Sequence, residues 1–379
     1  LDIYGARGVI LAHVFFNLPL AVRLILQGWL AVPSERFRVA ASLGAPVFWL
    51  LEWPMLRRVV PGAFAVIFVI CLGSFAVALT LGGGPRATTV ELAIYQAFKF
   101  DFDLSKAASL AVIQLCLGLG AGGLALLLSR GDMLGAGFDR VVQRWDGSKV
   151  LDAVYIALAA LFLLAPLAAI AVAGVAGLPD LPSSVWGATF RSLMIALGAV
   201  VLTMALALPL ATKAGEAASL LGISVSGLVL GTGLFIIVQP FVRPSSVALP
   251  VTMVVNVLMA LPFVLRILRP GIEAARSDFG PLGQSLGLSG VALWRIVYLP
   301  RLRRPMGFAA GLTGALAMGD LGVITLFSRP GEGTLPLMMY DLMGRYQMDA
   351  AYGAALVLVA LSLGVFWVFD KGGRAHAVV

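Results

Sequence analysis

Residues 299–306 read LPRLRRPM, and residues 53–60 read WPMLRRVV. In each, a proline is followed after two residues by an arginine pair: Pro54 with Arg57 and Arg58, Pro300 with Arg303 and Arg304. The offset is 246 residues both times, and the match extends outward. Gly73 falls on Gly319, Thr88 on Thr334, Asp103 on Asp349 and Leu110 on Leu356. Upstream the offset becomes 243, pairing Pro19 with Pro262, Arg23 with Arg266, Gly28 with Gly271, Ser34 with Ser277 and Gly44 with Gly287. Matched Arg, Gly and Pro positions are not apolar filler, so the chain carries an internal repeat.

Composition says what is being repeated. The 379 residues are 60% hydrophobic and 12% charged, with a mean hydropathy of +0.99. Soluble domains average roughly 45–50% apolar and about 25% charged. A spanning helix needs about 20 mostly apolar residues. Such stretches lie near 8–26, 60–81, 107–128, 151–177, 186–211, 217–238, 246–267, 306–328 and 352–370. No barrel-type alternation is present. The expected fold class is all-α, a polytopic transmembrane bundle of about nine spans.

The second copy holds six of these helices and the first only the last three of its six. An even number of spans per copy keeps both in one orientation, which makes this a parallel repeat. The expected organisation is residues 1–130 for the C-terminal half of the first copy, 131–150 for a cytoplasmic linker, and 151–372 for the complete second copy. By symmetry, roughly 90 residues or more are expected ahead of Leu1, which is not an initiator Met.

The formal charge of +8 is distributed by topology. Placing 27–59, 129–150, 212–216, 268–305 and the C-terminus in the cytoplasm puts 19 of the 27 Lys and Arg residues there or at the helix ends that feed them. This positive-inside bias predicts an extracytoplasmic N-terminus and a cytoplasmic C-terminus. No aromatic-basic patch of the nucleic-acid-binding kind accompanies it. Cys71 and Cys116 both fall inside apolar helices and read as packing residues.

Between Ser34 and Pro54, and between Ser277 and Pro300, the pattern is short helix, glycine, short helix, proline. Ser34 reads as an N-cap with Glu35 in the first turn. Gly44 and Gly287 read as left-handed helix ends, and Ser289 as a cap for a second short helix. Pro54 and Pro300 read as stops. The arginine pairs then lie at headgroup level, where anionic lipid can meet them. Two readings are open: a knob presented to a cytoplasmic partner, or an amphipathic connector lying on the bilayer.

The Ser-Leu-Gly to Leu-Pro spacing at 285–287 and 299–300 resembles the EAA loop of ATP-binding-cassette importer permeases. The slots for that loop's acid-Ala-Ala hold Pro281, Leu282 and Gly283 in the second elbow, and Arg38, Val39 and Ala40 in the first. SFAVALTLGGGPRATTVELAIYQAF at 74–98, GDLGVITLF at 319–327 and HVFFNLPLAVRL at 13–24 resemble the fused, two-repeat permeases of bacterial thiamine importers. Iron(III) and polyamine permeases are related. The resemblance implies an inner-membrane permease subunit, not an enzyme, without a cofactor of its own. It implies two copies of a cytoplasmic ATP-binding subunit, and a periplasmic thiamine-binding protein that delivers thiamine or its phosphate esters. The residues it places in the coupling loops, 27–59 and 268–305, are Glu35, Ala40, Ala41, Gly44 and Pro54, with Ser285, Leu286, Gly287, Leu299 and Pro300.

Asp320 is the one acid deep within an expected helix interior, and Ser74 holds its place in the first copy. A charge in hydrocarbon faces a cavity or a partner, so Asp320 either lines a route for a cationic substrate or makes a structural bond. His13 and Asn17 share one helical face, with Asn256 at the repeat position of His13. They either contact substrate or join helices. No Lys follows Gly, which excludes a Walker A sequence. Two histidines and no H-E-x-x-H motif leave no zinc site to expect. A secondary transporter with parallel six-helix repeats, or a membrane scaffold, are the competing classes.

Overall fold

The computed structural model describes residues 4–30, 32–82, 88–128, 148–212, 214–215, 218–219, 222, 224–288, 290–329 and 331–375. Among the described residues every regular element is helical, as a backbone that must bond internally within hydrocarbon requires. Among the described residues eight helices are long and apolar enough to cross a membrane, so the chain is an all-α polytopic bundle. In chain order α1 is Ala6–Leu30, α2 Ser34–Ser42, α3 Trp53–Leu72, α4 Phe75–Leu81, α5 Val90–Lys99, α6 Leu104–Leu128, α7 Lys149–Gly177 and α8 Ser184–Leu210. Then come α9 (Gly227–Val238), α10 (Ala248–Ser285), α11 (Gly290–Leu293), α12 (Leu299–Met318), α13 (Gly322–Phe327), α14 (Leu335–Gly344) and α15 (Met348–Ala375). The limits of α3 and α12 recur at the 246-residue offset, as do two five-residue π-helical turns, Phe48–Glu52 and Trp294–Tyr298.

Three expectations are corrected. The stretches 60–81 and 306–328 are not single helices: α3 ends before Gly73 and Ser74, and α12 before Gly319 and Asp320. A glycine at the break gives up little side-chain packing, and short helices then resume as α4 and α13. The stretch 217–238 contains α9, whose 12 residues span about 18 Å, less than the roughly 30 Å hydrocarbon core. Finally, Pro54 and Pro300 do not stop a helix; each sits at the start of a long one. The π turns explain this. Trp53 donates to the Phe48 carbonyl and Leu299 to the Trp294 carbonyl, five residues back. That widened turn relieves the clash between a pyrrolidine ring and the carbonyl four residues earlier.

The chain divides into two compact units, residues 1–89 with 116–169, and residues 90–115 with 170–379. The expected linker at 131–150 lies outside the described residues up to 147. In the first unit α1 packs on α3 and α4. Gly28 fits where a Cβ would collide with Val59 and stand 3.1 Å from the Met55 sulfur. In the second unit α8, α10, α12 and α15 form the core. Gly307, Gly311 and Gly314 make a small-residue stripe on α12. A Cβ at Gly307 would stand 2.6 Å from the Phe369 carbonyl oxygen, and one at Gly311 2.8 Å from that of Phe366. Within a bilayer apolar burial does not drive helices together, so such backbone-to-backbone fit supplies the association.

Gly311→Leu should therefore separate α12 from α15 and lower stability by about 1–3 kcal/mol or more. Thermal unfolding in detergent should show a lower midpoint; an unchanged one would refute the close-packing account.

Candidate functional site

The two elbows are closed by the same local chemistry. Gly44 has φ +59° and Gly287 φ +71°, the left-handed conformation that glycine adopts at no steric cost. Ala45 N–H bonds the Ala40 carbonyl at 2.9 Å, and Leu288 N–H bonds the Gly283 carbonyl at 2.9 Å. These are the six-to-one closures of a Schellman motif, at positions 243 residues apart. Both glycines as helix ends are as expected.

Ser34 is a correction. It is the first residue of α2, whose N-cap is Pro33, and it makes no cap bond; its hydroxyl lies 3.4 Å from Glu35 Oε1. Pro33 supplies the break itself, since proline disfavours helix in the residue before it. The equivalent position in the second copy is Arg276, and there α10 runs unbroken through 38 residues from span to elbow. The first elbow is thus a separate helix and the second an extension of a spanning one. Ser289 lies outside the described residues, and the expected second short helix is α11 followed by the π turn into α12.

Each elbow exposes large apolar side chains among its polar ones: Val39, Leu43, Phe48 and Trp49 in the first, Leu282 and Leu286 in the second. In the first elbow Glu35 and Ala41 are exposed and Ala40 is buried beneath them. A groove of about 360 Å³ runs between α2 and the π turn, lined by Val39, Ala40, Leu43, Ala45 and Leu50 among others. Phe48, Trp49 and Trp53 cluster with ring centroids 5.2–6.2 Å apart. Pro54 is exposed beside them. In the second, Ser285, Leu286 and Gly287 are exposed, and Leu293 of α11 rests where a Gly283 Cβ would be. Leu299 and Pro300 are half-buried, and the Arg301 guanidinium covers the Phe279 ring at 3.6 Å.

Asp320 lies in the α12–α13 break and not inside a helix. Its Oδ1 accepts from Gly322 N–H at 3.1 Å. The Asn256 amide of α10 approaches the same carboxylate, but Asp320 Oδ2 and Asn256 Nδ2 are buried without completing a hydrogen bond within the chain. An oxygen left so is an acceptor held ready. Ser74 caps α4 in the corresponding break without a side-chain bond.

Asn17 donates to the His13 carbonyl at 2.9 Å and lies 3.4 Å from Cys71 Sγ on α3. This is helix-joining chemistry. His13 Nε2 is buried without a partner. Cys116 is exposed on α6. Among the described residues no group of three metal-ligating side chains occurs.

Glu91 was not singled out by the sequence. It is 1% exposed on the short helix α5, where its Oε1 accepts from Gln114 Nε2 at 3.1 Å. Burial pushes its carboxyl up to about 7, against the opposing bonds from Ser226 and Gln114. The Gln114 bond therefore ties α5 to α6. The signal available in sequence was an acid at the first turn of an otherwise apolar amphipathic stretch.

No family model matches the chain. Curated relatives do. The chain is 38% identical, over 99% of its length and 73% of the relative's, to the "Thiamine transport system permease protein ThiP" of Brucella abortus. The protein of that name from Escherichia coli is 38% identical over 97% of this chain and 73% of its own length. That from Haemophilus influenzae is 34% identical over 97% and 72%.

Proposed function

This chain belongs to the family of bacterial thiamine transport system permeases, and we propose from that membership that it is the membrane-spanning subunit of an ATP-driven importer for thiamine or its phosphate esters. The similarity over nearly the whole chain is the observation that carries this reading. In it, a periplasmic binding protein delivers the substrate, and an ATP-binding subunit docks at each elbow, two copies in all. The apolar faces of Val39, Leu43, Phe48 and Trp49, and of Leu282 and Leu286, are the surfaces offered. Nucleotide binding draws the two ATPase subunits together and moves the elbows, so that the passage opens alternately to the two faces.

Coupling differs between the copies in this account. The second elbow, continuous with α10, moves its span directly; the first transmits through the Val32–Pro33 break. Arg57, Arg58, Arg303 and Arg304 face the headgroups, where each basic side chain gains about 1 kcal/mol from anionic lipid. The organisation into 1–130, 131–150 and 151–372 belongs to the same reading. Asp320 and Asn256 line the route: thiamine carries a fixed thiazolium charge, which an acid with one unsatisfied oxygen can offset in a low-dielectric passage. Iron(III) favours several hard oxygen ligands, and Asp320 offers one carboxylate.

The test is growth. A thiamine auxotroph with the gene deleted should fail on limiting thiamine and recover when the full-length gene is restored. Unchanged thiamine uptake with impaired iron or spermidine uptake would reassign the substrate. Orientation has its own check. A reporter fused after Val379 should report the cytoplasm, and activity only on the outer side would invert the topology.

A further inference from the structure

Resting on the importer reading, we propose that Arg191 and Ser192 are positioning residues for transport. They fasten the loop between α13 and α14 to α8, so that the segment carrying Asp320 follows α8 when the second elbow moves. The loop joins two helices with different neighbours: α13 packs on α9 and α10, and α14 on α8 and α15. Leu335 and Met338 of α14 share one apolar cluster with Val185 and Ala188 of α8. The polar bonds of the loop lie at the edge of that cluster.

Two consecutive residues of α8 make three of those bonds. Arg191 Nε donates to the Gly333 carbonyl at 2.9 Å, and Arg191 Nη2 donates to the Gly331 carbonyl at 3.0 Å. The Ser192 hydroxyl accepts from Leu335 N–H at 2.8 Å. That N–H opens α14 and has no partner within its own helix, and Thr334, the N-cap residue, supplies no side-chain bond. Ser192 caps α14 from another helix. It is 2% exposed, so water cannot replace the bond if it is lost. Arginine suits the other two bonds because its planar fork holds several donors at fixed angles, whereas a lysine ammonium is a compact point donor.

The connection continues in both directions. α8 packs along α10 and α12, and α10 is the helix that runs on into the second elbow. On the other side of the loop, all six residues of α13 are buried, and the helix starts at Gly322, two residues after Asp320. Close-packed interiors have low compressibility and pass displacement on. Hydrogen bonds and rigid helices carry coupling in the same way. With the three bonds in place, a shift of α8 reaches α13 through the loop. Without them the loop absorbs the shift, the Asp320 segment lags, and nucleotide is spent without moving substrate.

The experiment uses the full-length permease, free of native cysteines, assembled with its ATPase and binding protein in proteoliposomes. It reads thiamine moved per ATP hydrolysed. Arg191→Gln should lower that ratio by about tenfold or more with ATP turnover retained, and Arg191→Lys should fall between it and the wild type. An unchanged ratio overturns the proposal, and so does a loss of uptake and turnover together, which marks a residue of stability alone. Ser192→Cys with Leu335→Cys supplies a covalent substitute, because Ser192 Oγ lies 2.8 Å from the Leu335 nitrogen and the two backbones are within disulfide reach. In the Arg191→Gln variant, oxidising that pair should bring the ratio back to within about threefold of wild type, and reduction should remove the gain. With Arg191 intact, the oxidised pair should leave uptake unimpaired. A block there would mean that the loop leaves α8 in each cycle, which overturns a permanent fastening, and this variant decides the matter even where Arg191→Gln does not assemble. If the unaltered transporter moves another cargo, the substrate reading alone fails, and the same ratio measured with that cargo decides the fastening.

Discussion

Gly287→Val should cut thiamine uptake to less than about a tenth of the wild-type rate while the protein still inserts in the membrane. Gly287 holds φ +71°, and nothing lies within 4 Å of a Cβ built there. The substituted side chain therefore meets no neighbour, and the penalty is purely conformational. An L-residue in the left-handed region loses roughly 1–2 kcal/mol, and a β-branched one more. That is comparable to the net contribution of the hydrogen bond that closes the turn, so the Leu288–Gly283 bond opens and the knob leaves its place on α10. Each 1.4 kcal/mol is about tenfold in an equilibrium. Gly287→Asn, which tolerates the same region, should keep most of the uptake. Wild-type uptake in the valine variant would remove the coupling role from this elbow.

Asp320→Asn should lower uptake at subsaturating thiamine by about tenfold or more, with thermal stability and ATPase turnover retained. The substitution preserves an oxygen for Gly322 N–H and removes only the charge. Two unit charges 4 Å apart attract by about 4 kcal/mol at an effective dielectric of 20, part of which is offset by stripping water from the substrate. The comparison that separates routes from scaffolds is uptake against melting temperature. Unchanged uptake with a lower midpoint would make Asp320 a structural hydrogen-bonding group of the α12–α13 break.

These two sites were legible to different degrees. Gly44 and Gly287 could be read directly, because a left-handed helix end is a property of one residue's backbone and glycine is its usual occupant. The acid of Asp320 was equally visible, but its setting was not. A hydropathy window averages over Gly319 and Asp320 as readily as over Gly73 and Ser74, so two interrupted spans read as continuous. Pro54 and Pro300 misled for a related reason. Proline ends an α-helix by a local rule, and the rule fails when a π turn widens the backbone ahead of it. The contrast between the elbows was written in the chain as Pro33 against Arg276, yet its consequence appears only when α10 is followed through Pro270 and Pro281 without a break.

Apolar length, the 246-residue repeat, the basic bias of one set of loops and the paired elbows were determined by the sequence alone. Each depends on a count or a spacing along the chain, and the bilayer enforces such counts by requiring about 20 apolar residues and an internally bonded backbone per span. Tertiary structure alone decided which polar groups are buried and what they face. Glu91 reads as an ordinary first-turn acid until α5 is packed on α9 and α13. Burial and mutual approach are properties of pairs of elements distant in sequence, and no local pattern encodes them.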